Sequence, residues 1–139
     1  ALNLLRGHRL NLVEGLQFAR EEKIQKRHYL QFFNAGDGIR DTIIGIVTNM
    51  MLNSEEVDAS LPLLGFACTD NGEIKVSARA TQLLVDRGLD LSVVLKAAAE
   101  TVHGVGGGHN IAAGATIPKG KEEEFLSLVE RQISLQLSG

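Results

Sequence analysis

Residues 61–81, LPLLGFACTDNGEIKVSARAT, constrain this chain more than any other segment. Two apolar or alternating runs flank Asp70-Asn71-Gly72, and an Asn-Gly pair between such runs favours a tight hairpin turn because both residues tolerate positive φ. A hairpin commits the chain to a sheet. The second run alternates with period two, sending Ile74, Val76 and Ala78 to one face and Lys75, Ser77 and Arg79 to the other. The three polar groups then stand about 7 Å apart at alternate positions. An ammonium, a hydroxyl and a guanidinium fork in that order suit phosphate oxygens. The solvated face of an antiparallel strand would look the same, so both readings stay open here.

Around the hairpin the periodicity is mostly helical. Residues 1–28 read as one helix, with Leu2, Leu5, Leu12, Leu16 and Ala19 on a stripe interrupted by Gly7 and Gly15. It ends in a basic cluster, Lys23, Lys26 and Arg27, which reads as a solvated helix end or as the extension of a phosphate track. YLQFFNAGDG predicts a short strand and a turn. From Ile39 onward Ile43, Ile44, Ile46, Val47, Met50 and Met51 recur as in a helix, with Asp37 or Asp41 placed for its first turn. TQLLVDRG predicts a short helix capped by Thr81 and stopped by Gly88, and DLSVVLKAAAETVH a longer one starting at Asp90. GATIP suits a last strand. KEEEFLSLVERQISLQL is amphipathic, with Phe125, Leu128, Val129 and Ile133 inward. The expected class is α/β: a small mixed β-sheet with a β-hairpin, covered by helices, plus an N-terminal connector helix.

Between the last helices lies HGVGGGHNIAAGATIPKG, which holds Gly104, Gly106, Gly107, Gly108 and Gly114 and closes on Gly120, six of the chain's 15 glycines. A dinucleotide fingerprint fails because its last glycine position is occupied by His109, and a P-loop fails for want of Gly-Lys-Ser/Thr. The run reads as a loop leading into a helical turn at NIAAG, with a backbone able to approach an anion closely and His109 placed to donate to a phosphate or base edge. The competing reading is that the glycines let two backbones cross and that His109 is structural.

Other chemistry is sparse. His8, His28, His103 and His109 include no pair at the i, i+4 spacing of a helical zinc site, and no cysteine cluster assists them. Asp37 and Asp41 could act as catalytic carboxylates, although turn and capping duty explains both. Cys68 reads as a small buried hydrophobe, and a lone cysteine excludes a disulfide framework and fits a reducing, cytoplasmic setting. A net charge of −3 with 22% charged residues gives no global field for nucleic acid, so any such contact must be a local patch. No apolar stretch approaches the roughly 18 residues of a membrane span. The abrupt apolar start, without a capping signal, suggests a piece of a longer protein.

Taken together, KVSARAT, then GVGGGHNIAAGATIP and a terminal amphipathic helix, resemble the DHH-associated domain in the C-terminal half of RecJ-like DHH-superfamily phosphoesterases, in the style of archaeal single-strand-specific exonucleases. DTIIGIVTNMML is similar to the helix that opens that domain. The resemblance implies a connector over residues 1–28 leading from an absent DHH catalytic domain, and a substrate-binding domain over 29–139. It implies nucleotide and phosphate binding at Ser77, Arg79, Gly106, Gly107, Gly108 and His109, with Lys75 extending the track. The implied partners are single-stranded DNA or RNA or a short oligonucleotide. No cofactor is implied in this chain; Mn2+ or Mg2+ belongs to the DHH domain, whose Asp-His-His motif does not occur here. Two alternatives stand beside it: the binding domain of an oligonucleotide or cyclic-dinucleotide phosphodiesterase, and an interaction module of a replication or tRNA-related protein.

Overall fold

The computed structural model describes residues 12–21, 24–55 and 57–138. In chain order the elements are α1 (Leu12–Glu21), β1 (Gln25–Lys26), β2 (Gln31–Asn34), α2 (Ile44–Leu52), β3 (Leu63–Cys68), β4 (Glu73–Arg79), α3 (Gln82–Asp86), α4 (Leu91–Thr101), β5 (Val105–Gly108), β6 (Ala112–Pro118) and α5 (Glu122–Ser138). The strands form one mixed sheet in the order β1-β2-β3-β4-β6-β5, with β2 and β3 parallel and every other pair antiparallel. The class is α/β, as the patterning implies.

Helices cover both faces. Strand alternation sends Phe32, Leu64, Phe66, Ile74, Val76, Ala78, Ala113, Ala115 and Ile117 into a core closed by α4 and α5. Phe66 is fully buried there, edge-on to Phe32 at 6.0 Å and to Phe125 at 6.3 Å, arrangements that add to area burial. The opposite faces of β2 and β3 place Phe33, Leu63 and Ala67 in a second core with α1 and α2. Burial on both sides explains why LPLLGFAC is nearly continuous in apolar residues. The parallel β2–β3 pair requires a crossover, and α2 supplies it.

Several elements depart from the sequence reading. The N-terminal helix, described over Leu12–Glu21, does not run to residue 28, because Gln25 and Lys26 pair with Phe32 and Gln31 at the sheet edge. Leu2, Leu5, Gly7, His8 and Lys23 lie outside the described residues. Arg27 is held by Glu123 at 2.6 and 2.5 Å and by Glu130 at 3.4 Å, and it lies over the Phe32 ring. Lys26 pairs with Asp58 at 3.4 Å. Lys26 and Arg27 thus tie this edge of the sheet to its neighbours. Helix α2 begins at Ile44 instead of Ile39, with neither Asp37 nor Asp41 in its first turn; Ile39 is a buried core residue. The glycine run is a strand, and NIAAG is no helical turn: His109 and Ala112 exchange backbone hydrogen bonds of 2.8 and 3.3 Å, which closes a β5–β6 hairpin.

Both short connections after α3 and α4 close with the same device. Gly88 has φ +117, and Leu89 N–H donates to the Leu84 carbonyl at 3.0 Å while Gly88 N–H donates to Val85 at 3.0 Å. This is a Schellman closure. At the end of α4 the equivalent bonds run from Gly104 to Ala99 at 2.7 Å and from His103 to Glu100 at 3.2 Å, with His103 in the left-handed position at φ 68. A side chain is disfavoured there by roughly 1–2 kcal/mol. His103 is exposed, so His103→Gly is expected to raise stability by about 1 kcal/mol. Urea unfolding measures this as a higher midpoint at unchanged slope.

Candidate functional site

The polar ladder on β4 lies where the α1–α2 layer ends. Helix α2 packs on β3 and β4, and beyond its edge the same face of β4 and β6 forms one wall of a cleft of about 250 Å3. Lys75, Ser77 and Arg79 line it together with Gly108, Ala112, Ala113 and Gly114; Asp41, Thr42 and Gly45 form the facing wall. The period-two reading of KVSAR therefore holds, and the ladder is partly covered where the alternative had a solvated face. Ser77 is 4% exposed.

Arg79 is half-buried. Its Nη1 donates to the Ala78 carbonyl at 2.9 Å and to the Ala113 carbonyl at 3.4 Å. Among the described residues no carboxylate forms an ion pair with it. Burial pushes its pKa below the usual arginine value, since loss of water disfavours the charged form. A guanidinium so placed gains from any anion that reaches it.

Two features bring further donors to the same spot. A Cβ on Gly45 would lie 2.7 Å from Arg79 Nη2 and 3.3 Å from Ser77 Oγ, so glycine in the first turn of α2 lets the helix start sit against the ladder. That helix start has Ile43 at its cap, with no capping side chain and no acidic residue in its first turn. Its first N–H groups therefore keep their donor capacity and positive dipole end. Lys75 reaches over Gly114, its Nζ 3.6 Å from where a Cβ would stand. Across the sheet Ser77 pairs with Gly114 and Gly114 with Gly107, so a row without large side chains crosses three strands.

The glycines divide by face. A Cβ on Gly106 would lie 2.5 Å from the Leu95 carbonyl of α4, and one on Gly108 2.7 Å from Ala113 Cα; one on Gly104 would overlap the Thr116 carbonyl. These three permit backbone packing, as the crossing-backbone reading holds, although Gly108 also lines the cleft. Nothing would lie within 4 Å of a Cβ on Gly107. Gly106, Gly107 and His109 are not among the lining residues. His109 is exposed at the β5–β6 turn.

The facing wall escaped the sequence reading, which weighed Asp41 as a catalytic carboxylate or as a turn and helix-capping residue and passed over Thr42. The one available signal was Gly45 inside the apolar run TIIGIV, since a glycine there lowers helix stability without a packing reason in sequence. Cys68 is half-buried, and burial first, then Asp37, pushes its thiol pKa up, so it is a poor nucleophile. Among the described residues no three His, Cys, Asp or Glu side chains are grouped to hold a metal ion, and no helix is long and apolar enough to cross a membrane.

Residues 26–135 match the DHHA1 domain. This chain belongs to the DHHA1 domain family. It is 34% identical over 131 residues to the uncharacterized protein MJ0831 of Methanocaldococcus jannaschii, covering 94% of this chain and 27% of that protein. The chain thus spans about a quarter of its curated relative. The C-Ala domain of Aquifex aeolicus alanyl-tRNA synthetase shares the fold at a TM-score of 0.61 and 13% identity, over 81% of this chain and 98% of that one. RecJ of Thermus thermophilus, solved in complex with Mn2+, shares it at 0.54 and 19%, over 89% of this chain and 15% of that one.

The division of the glycines is testable by stability alone. Gly106→Ala is expected to cost about 1–3 kcal/mol, because the new methyl meets α4 backbone that cannot swing aside. His109→Ala, at an exposed turn, is expected to change stability by less than about 0.5 kcal/mol. Thermal or urea unfolding of the two variants checks both figures.

Proposed function

We propose that this DHHA1 domain binds the sugar-phosphate backbone of single-stranded nucleic acid as the substrate-binding part of a RecJ-like DHH phosphoesterase, and that it does not hydrolyse by itself. The observation that carries this is Arg79: a half-buried guanidinium with no carboxylate partner among the described residues, set beside Ser77, Lys75 and an uncapped helix start. All four offer donors, and they converge on one spot that glycine keeps clear of side chains. With two cations against one carboxylate, the cleft is a local positive site in a chain of net charge −3. Its volume falls below the roughly 300–1,000 Å3 of whole-ligand pockets, which suits one phosphate and its sugar in a longer strand. Membership of the family and the shared fold with RecJ support the assignment. In this reading Gly106, Gly107, Gly108 and His109 form the rim that the strand passes, and Mn2+ or Mg2+ is held by the DHH domain of the whole protein.

Fluorescence anisotropy with a labelled 12-nucleotide single strand tests it. Arg79→Met, which keeps the packing of the stem, is expected to weaken binding about tenfold or more. The slope of log K against log salt should become shallower by about 0.7, the contribution of one neutralised phosphate on a single strand. A dinucleotide should bind more weakly than the 12-nucleotide strand. Arg79→Met binding with wild-type affinity and salt slope would refute the assignment.

A further inference from the structure

The sheet face that holds the ladder continues past the cleft to the β5 edge. Register fixes what lies on it: Lys75 pairs with Thr116 and Thr116 with Val105, while Ser77 pairs with Gly114 and Gly114 with Gly107. Paired residues share a face, and Ala113, Ala115 and Ile117, which alternate with these, are buried in the core on the other side. On the ladder side β6 and β5 thus present Ala112, Gly114, Thr116, Val105 and Gly107, none of them ionisable. Val105 is 76% exposed, and a Cβ on Gly107 would meet nothing within 4 Å. The face is a bare peptide floor bordered by one isopropyl group. At its head stands Ser77, 4% exposed, with no hydrogen-bond partner for its hydroxyl among the described residues. Its Oγ lies 3.3 Å from the position of a Gly45 Cβ, and both residues line the cleft. A hydroxyl buried without a partner is costly until a ligand supplies one.

We infer that this face seats one nucleobase, that of the nucleotide whose phosphate is held at Arg79, and that Val105 contacts the base. The inference rests on the phosphate-binding reading of the adjoining cleft. Two exits from the cleft are unfavourable to a strand. Asp41, Thr42 and Gly45 wall the α2 side. Along β4 the residue beyond Lys75 on the ladder face is Glu73, which is exposed and whose carboxylate repels a second phosphate. Lys75 leans the other way, its Nζ 3.6 Å from the position of a Gly114 Cβ, over the row that leads to Gly107. That row is uncharged, so it offers a second phosphate nothing, whereas the flat apolar face of a base sheds water against it. Ser77 to Gly107 spans two strand spacings, roughly 10 Å, within reach of a base joined to the phosphate at Ser77. The peptide groups of β6 are spent on β4 and β5, so the floor reads no base edge and the seat accepts any base.

The test uses labelled 12-unit strands of thymidine, of deoxyadenosine and of abasic deoxyribose-phosphate, measured by anisotropy against the 139-residue chain and its Val105→Trp, Leu135→Trp and Arg79→Met variants. The wild type is expected to bind both base-bearing strands about fivefold or more tighter than the abasic strand, the contribution of one seated base. Val105→Trp enlarges the platform. It should tighten the base-bearing strands by about fivefold or more and leave the abasic strand unchanged, with the same salt slope, because no phosphate contact is added. The chain has no tryptophan, so emission from this variant reports contact directly: base-bearing strands should quench it and the abasic strand should not. Leu135→Trp, at a 61% exposed position on α5, should show neither effect. Equal wild-type affinity for base-bearing and abasic strands overturns the inference, as does a Val105→Trp variant whose affinity and emission fail to distinguish them. The wild-type comparison needs no variant, so it can overturn the inference even where Val105→Trp folds poorly. Arg79→Met separates the two levels. Arg79-dependent binding that ignores the bases overturns this inference alone, whereas binding indifferent to Arg79 removes the phosphate reading beneath it.

Discussion

Helix α4 lies directly on the backbone of β5, and Gly106 is what permits it: a single methyl there would press into the Leu95 carbonyl. Close approach lets α4 place Val94, Leu95, Ala98 and Ala99 over the sheet edge and seal the larger core. The same glycines leave β5 with little reason of its own to be a strand, since glycine loses the most backbone freedom on ordering and packs nothing. Its extended form is imposed by pairing with β6 on one side and by α4 above. The other face of this edge, beyond the reach of α2, carries the cleft. One packing contact therefore supports both the core and the far wall of the candidate site.

On that far wall the electrostatics run against the usual habits of a folded chain. Charges removed from water are normally paired, because desolvation costs more than isolated burial returns. Arg27 follows the rule, with two carboxylates and an aromatic ring. Arg79 does not among the described residues, where backbone carbonyls receive its hydrogen bonds. The contrast between two partly buried arginines in one small domain marks Arg27 as a structural tie, and it is the contrast on which the proposed role of Arg79 rests.

How much of this was legible depended on whether a side-chain pattern existed to be read. The hairpin was, because Asn71-Gly72 separates two runs and Ile74, Val76 and Ala78 alternate cleanly with the ladder. The terminal helix was legible from Phe125, Val129 and Ile133. The two-residue strand at Gln25 and Lys26 had no pattern, being too short for alternation, and helical periodicity upstream carried the reading past it. Strand β5 was hidden for a related reason, since Gly106, Gly107 and Gly108 have no side chains with which to alternate. Half of the cleft was visible as the ladder. The other half was not, because Asp41, Thr42 and Gly45 come from a helix start brought against β4 by the β2–α2–β3 crossover, and no local pattern records that meeting.

Gly45 has a consequence for how such a domain can change over generations. A helix whose first turn contains glycine is weaker by about 1 kcal/mol than one with alanine there, and a single substitution would recover that stability. The recovered methyl would stand where the Arg79 guanidinium now reaches. On the proposed function, selection for heat tolerance and selection for ligand capture therefore pull on this residue in opposite directions. A lineage that has given up the ligand should be recognisable by the small residue it has gained at this position.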